Sequence, residues 1–186
     1  TYTLLVSAPG YPDVSSETYI PNAVPFEAEW WVVNQNYLEF EIRVSFLDPP
    51  DTENFYMIDL RDFPGINILS TYLRISCIDP IVDIALNSSW GQPLFTDKSI
   101  NGKSYSIIIR AQANRYSKYL TVRLLSLSMD LYKYLVSLEL WDRNYYDNFS
   151  EPVIIYHNVN GGVGLFGGYS YRSVEIENPF YSSDYW

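Results

Sequence analysis

From Tyr37 to Phe46 the chain alternates without a break, with Leu38, Phe40, Ile42, Val44 and Phe46 on one side and Tyr37, Glu39, Glu41, Arg43 and Ser45 on the other. Strict period two puts one set of side chains against a core and the other toward water, as in an antiparallel strand with a single buried face. Asp48-Pro49-Pro50-Asp51 ends it, because proline lacks the N–H a ladder needs and fixes φ.

Further strand candidates follow at short spacing: Asn54 to Arg61, Tyr72 to Ile78, Lys103 to Arg110, Tyr119 to Ser126, Pro152 to Tyr156 and Ser173 to Glu177. Asn101-Gly102 is a hairpin signal ahead of Lys103. Thr1 to Val6 reads as the middle of a strand, and Trp30-Trp31, adjacent in a strand, must point to opposite sides. Many short strands between Gly, Pro and Asn turns predict a mainly β, antiparallel sandwich or flattened barrel. One helix is expected over residues 128–141, with Ser128 as N-cap, Asp130 in the first turn, and Leu131, Leu135 and Leu138 sharing a face with Tyr134 and Trp141. A strand there would strand Leu131 and Leu135 opposite Tyr132, Tyr134, Val136, Leu138 and Leu140. At 186 residues the chain fits one domain, or one domain and part of a neighbour. Residues 1–25, rich in proline, read as a connection or the end of a preceding domain, and residues 26–186 as the main β domain. The opening in mid-strand, with no signal peptide, suggests a fragment whose targeting segment lies upstream.

The charge balance, 12 basic against 22 acidic residues for a net −10, disfavours nucleic acid and anionic membrane surfaces, and no basic stripe offsets it. Cys77 is the single cysteine, so neither a disulfide framework nor a cysteine-rich metal site is expected, and its strand context suggests a buried thiol. No apolar run approaches the ~20 residues of a spanning helix. The 18 tyrosines suit half-buried pleated surfaces, and also surfaces that bind sugars or proteins.

Motifs that carry chemistry are few. Gly162-Val163-Gly164-Leu165-Phe166-Gly167 matches G-x-G-x-x-G, yet no βαβ unit surrounds it, so a tight glycine-rich loop over 158–168 is expected instead. His157, the single histidine, has no nucleophile-elbow serine near it, and Cys77 has no motif around it. The 22 acids leave a carboxylate pair for glycoside hydrolysis open, as a third functional reading. Asp142 to Asn148 supplies oxygen ligands without EF-hand spacing. Asn87-Ser88-Ser89 and Asn148-Phe149-Ser150 fit the N-glycosylation pattern. No catalytic residue, cofactor or metal is assigned.

Several of these stretches occur in a recurring order: Ala8-Pro9-Gly10-Tyr11, Asp48-Pro49 with Asn54-Phe55-Tyr56, Phe95-Thr96-Asp97 before Asn101-Gly102-Lys103, Tyr132-Lys133-Tyr134-Leu135, Phe149-Ser150-Glu151-Pro152-Val153, and Asn158 through Tyr169. The series resembles the family catalogued as domain of unknown function 4249, from Bacteroidota envelope lipoproteins. The resemblance implies a lipid-anchored protein of the bacterial outer membrane, serving as a non-catalytic accessory subunit that packs on a TonB-dependent transporter or related β-barrel. The lipid anchor would lie outside these residues, since the lipobox cysteine is not among them. The alternative is a surface lipoprotein that binds a glycan or peptide through Trp30, Trp31, Trp90, Trp141, Tyr145 and Tyr146.

Overall fold

In a computed structural model, the described residues are 1–50, 52–62, 71–86, 91–144 and 152–182. The elements run β1 Tyr2–Val6, β2 Val14–Thr18, β3 Phe26–Asn34, β4 Glu39–Leu47, β5 Phe55–Asp62, β6 Thr71–Tyr72, β7 Ile75–Ser76, β8 Val82–Leu86, β9 Gln92–Thr96, β10 Ser104–Gln112, β11 Tyr119–Leu127, α1 Met129–Asn144 and β12 Tyr169–Glu177. They make a β1-β2 hairpin, a four-stranded sheet ordered β3-β4-β10-β7, and a six-stranded sheet ordered β12-β11-β5-β9-β8 with β6 beside β5, all antiparallel. The larger sheets form a sandwich; the flattened-barrel alternative fails, since no ladder joins the two sheets among the described residues.

The inward half of the β4 alternation, Phe40, Ile42, Val44 and Phe46, meets Ile107, Ile109 and Ala111 of β10 and packs across on Tyr56, Ile58 and Leu60 of β5 and Leu120, Val122 and Leu124 of β11. All are buried, and each large aliphatic or aromatic side chain so placed contributes about 1.5–3 kcal/mol. The reverse face of the six-stranded sheet is also apolar: Phe55, Ile84, Leu94, Leu125 and Leu127 receive Met129, Leu131, Tyr132, Leu135 and Val136 of α1. The layers are therefore sheet, sheet and helix.

Ser128 caps α1 as expected, its Oγ accepting from Leu131 N at 3.3 Å. The helix turns a different stripe inward from the one expected: Tyr132, Val136 and the buried Glu139 join Leu131 and Leu135, while Tyr134, Leu138 and Trp141 lie off it. Helical phase is ambiguous in a segment with apolar residues nearly all round, and the sheet decides it. The Pro152 to Tyr156 candidate forms no strand, and Tyr72 to Ile78 divides into the two-residue β6 and β7, which serve different sheets. Asn101-Gly102 turns the chain from β9 in one sheet to β10 in the other, so it makes no hairpin. Tyr37 and Leu38, which fit the alternation, belong to the β3-β4 turn; Asn34 Oδ1 accepts from the N–H groups of Asn36 (3.1 Å) and Tyr37 (3.3 Å), and Leu38 has φ 56°.

The first 25 residues carry the hairpin and are tied to the glycine-rich segment. Ser15 and Asn160 exchange backbone bonds of 3.1 and 2.8 Å, and Ser16 Oγ donates to Asn158 O at 2.8 Å. That segment also grips the helix start: Gly168 N donates to Ser128 Oγ at 3.1 Å and Ser128 N to Gly168 O at 2.8 Å. A Cβ on Gly168 would lie 2.5 Å from Tyr19 O, so only glycine admits this approach.

At one end of the sandwich the buried Asp48 carboxylate, just after β4, accepts from Tyr56 Oη of β5 at 2.6 Å and from Gly102 N at 3.0 Å. Asn54 Nδ2 bonds Asp97 Oδ2 at 3.2 Å beside it. Burial pushes the Asp48 carboxyl up from its ordinary value; the two donors oppose this and the neighbouring Asp97 adds to it.

Two outcomes are expected in urea unfolding. Tyr56→Phe leaves a buried carboxylate oxygen without its donor and costs about 1–3 kcal/mol; Gly168→Ala, which forces the strap away from Tyr19, costs a similar ~1–3 kcal/mol. The raised Asp48 value means the folded state binds this proton more tightly, so the group's contribution falls as pH rises from its unfolded value through its folded one. Asp48→Asn, resembling the protonated acid, should therefore gain stability relative to wild type across that rise, and a constant difference from pH 3 to 7 would refute the assignment.

Candidate interaction face

With α1 covering the reverse of the six-stranded sheet, the outer face of the four-stranded sheet has no layer upon it among the described residues. It is built from the outward half of the β4 alternation and its register partners. Trp31, Glu41, Arg110 and Ser76 make one row across β3, β4, β10 and β7; Glu29, Arg43 and Ile108 make the next; Glu27, Ser45 and Ser106 the third. Cross-strand pairing turns these rows into contacts. Arg43 Nη1 bonds Glu29 Oε2 at 3.1 Å, Arg110 donates twice to Glu41 Oε1 at 2.7 and 3.2 Å, and the Ser45 and Ser106 hydroxyls lie 2.8 Å apart. The Arg43 guanidinium sits 5.4 Å from the centroid of the Trp31 ring. Glu41 raises the Arg110 guanidinium further above its already high value.

Two shallow depressions open on this face and share Ser106. One, of 570 Å³, lies along Phe26, Glu27, Leu47 and Tyr105; the other, of 410 Å³, is bounded by Glu41, Cys77, Ile78, Asp79, Ile108 and Arg110. In the second, both carboxylates are engaged: Glu41 bridges Arg110, and Asp79 Oδ1 accepts from Tyr105 Oη at 2.7 Å and Ile81 N at 3.1 Å. Burial and the Asp79 hydrogen bond push the Tyr105 hydroxyl up to about 12. Cys77 donates to Ile108 O at 3.4 Å, and burial raises its thiol, which keeps it a poor nucleophile. Among the described residues no three His, Cys, Asp or Glu side chains gather in a metal-holding group. Ion-paired, hydroxyl-lined and gently hollowed, the face suits contact with another surface. A third depression, of 340 Å³ with Glu53 in its wall, lies between residues 19–22 and the β4-β5 connection.

The aromatic residues expected to form one binding surface are not brought together. Trp30 turns inward and packs on the core, while its neighbour Trp31 turns out onto the bare face. Trp141 is on α1, 39% exposed, across the molecule from Trp31. Trp90, Tyr145 and Tyr146 lie outside the described residues, as do both glycosylation patterns and the end of the 142–148 run. His157 is exposed at the close of the 152–157 segment. The glycine run leads into strand β12 rather than a helix; Gly161 and Gly162 are lined by Asp13 and Val14, Gly167 by Leu131, and Gly164 by Val159 of the same segment. Glu41, Arg43 and Arg110, which order the face, were not among the candidates; the charged outward half of the Tyr37–Phe46 alternation was the signal that could have found the first two.

The two adjacent tryptophans give a direct comparison. Trp30→Ala should cost about 3–5 kcal/mol in urea unfolding as a core truncation, and Trp31→Ala under about 1 kcal/mol, the size of an exposed ring-cation contact. Equal losses would mean that Trp31 is part of the core.

No described helix is long and apolar enough to cross a membrane. No curated protein and no solved structure matches the chain. The pattern of one family, Domain of unknown function (DUF4249), matches residues 1–175. The chain therefore belongs to the DUF4249 family.

Proposed function

We propose that this chain is a non-catalytic accessory subunit that works by docking, with the outer face of the β3-β4-β10 sheet as its contact surface. The observation that carries the reading is the contrast between the two outer faces of the sandwich. One is apolar and covered by α1; the other carries no covering layer among the described residues, is laced by ion pairs between register partners, and presents an outward tryptophan on its edge strand β3. Three nine-residue strands, at ~4.8 Å spacing and ~3.4 Å per residue, present a plane of roughly 14 by 30 Å, about half the area per partner of a standard protein interface, so the contact would take in the rims of the sheet as well. The family resemblance supports the setting: a lipid-anchored protein of the Bacteroidota outer membrane, packed on a TonB-dependent transporter or related β-barrel. A second reading, glycan or peptide binding on the same face, draws on the hollows beside Arg110 and Glu41, although Arg43 already occupies one side of the Trp31 ring. A carboxylate-pair hydrolase finds less support, since the acids of the hollow are taken up by Arg110 and Tyr105.

The test is to solubilise outer membranes gently, isolate the full-length protein by a tag, and identify its companions by mass spectrometry. A stoichiometric β-barrel is expected, with recovery falling at least several-fold in a Trp31→Ala, Arg110→Glu double variant. Recovery of the protein alone overturns the accessory reading and turns the search to soluble ligands.

A further inference from the structure

A second surface lies on the far side of the molecule, between α1 and the extended segment 152–157. The sequence there, Pro152-Val153-Ile154-Ile155-Tyr156, is that of a strand, yet it pairs with no strand among the described residues. It is held beside the helix by Tyr156 N donating to Ser137 Oγ at 2.8 Å and by the Tyr156 hydroxyl bonding Asp130. Ile154 is left 85% exposed, next to Leu140 at 40%. Both line an open groove of 450 Å³, together with Lys133, Val136, Ile155 and His157.

Charge sets this groove apart. Each of the three hollows described above carries at least one carboxylate, whereas among the described residues no carboxylate lines this one, in a chain with 22 acids and a net charge of −10. Lys133 rests 5.6 Å from the centroid of the Tyr156 ring and makes no ion pair among the described residues. An apolar slot with the Lys133 ammonium at its edge, in a chain that is otherwise strongly acidic, complements an apolar side chain beside a carboxylate. The groove is too open to enclose a small ligand, whose sites bury most of its surface.

We infer that the α1/152–157 groove docks an acidic, apolar segment of a partner protein, with a large side chain seated between Leu140 and Ile154 and a carboxylate meeting Lys133. The inference rests on the docking reading in taking a protein as the partner, but the surface is a different one.

The test uses the whole chain with methyl and ring signals of Ile154 and His157 followed by NMR. The probes are two capped peptides, Asp-Glu-Leu-Phe-Asp-Glu and Lys-Arg-Leu-Phe-Lys-Arg. The acidic peptide should shift both signals saturably and the basic peptide should not. Lys133→Glu, an exposed change that leaves the fold intact, should weaken acidic binding by about fivefold or more, and Ile154→Ser should weaken it while leaving Lys133 in place. Equal response to both peptides, no response, or shifts confined to other residues overturns the inference. Concentration-dependent shifts without peptide would identify a second copy as occupant and overturn it too. None of these outcomes bears on recovery of a β-barrel through the Trp31 face.

Discussion

The Asp48 carboxylate is a buried polar link between the two sheets, added to the apolar core they share. It follows β4 in one sheet, takes the hydroxyl of Tyr56 from β5 in the other, and takes the N–H of Gly102 from the turn that carries the chain from β9 to β10. Asp48 N in turn donates to Lys103 O at 3.0 Å, and Asp97 N to Asn54 O at 3.1 Å, so the two connections between sheets are bound to each other. Leaving such a carboxylate without partners in the interior costs several kcal/mol, which makes the arrangement of these connections close to all-or-none. The same bonds hold the end of β4 beside the start of β10, at one end of the ladder that sets the rows on the outer face.

The same chemistry recurs. Tyr105 donates to Asp79, Tyr132 to Asp83 and Tyr156 to Asp130, in each case a phenol hydroxyl serving a carboxylate. A chain with 22 acids and 12 bases has too few cations to partner its carboxylates, and tyrosine supplies a donor that adds no charge and brings a ring to pack. Two of these bonds fasten α1: one to β8, through Asp83, and one to the 152–157 segment. The abundance of tyrosine, read from the sequence as a matter of β packing or ligand contact, is thus partly an answer to the acidity.

How much could be read beforehand follows from which forces are local. The β4 alternation, the strands of β5, β10 and β11, and the capped helix after Ser128 were legible because period and capping are properties of neighbouring residues. The sheet to which a strand belongs is not: Asn101-Gly102 is a competent turn whether it closes a hairpin or crosses between sheets, and Asp48 decides. β9 contains Pro93, which argues against an interior strand, but the ladder with β5 stops at Leu94, so Pro93 stands opposite β8 alone. Pro152 to Tyr156 has strand composition and pairs with no neighbour among the described residues. The bare face was half legible, since Glu41 and Arg43 were visible as an outward set, while Arg110 and Trp31 join them only through register.

In the proposed docking role one sheet face is structural, sealed by α1, and the other is the contact surface. Hydrogen–deuterium exchange of the full-length protein, free and within the proposed assembly, tests this division directly. Added protection is expected in β3, β4 and β10, with β5 and β11, whose sheet is covered on both faces, unchanged. Assembly that leaves the exchange of β3, β4 and β10 as it is in the free protein would contradict it.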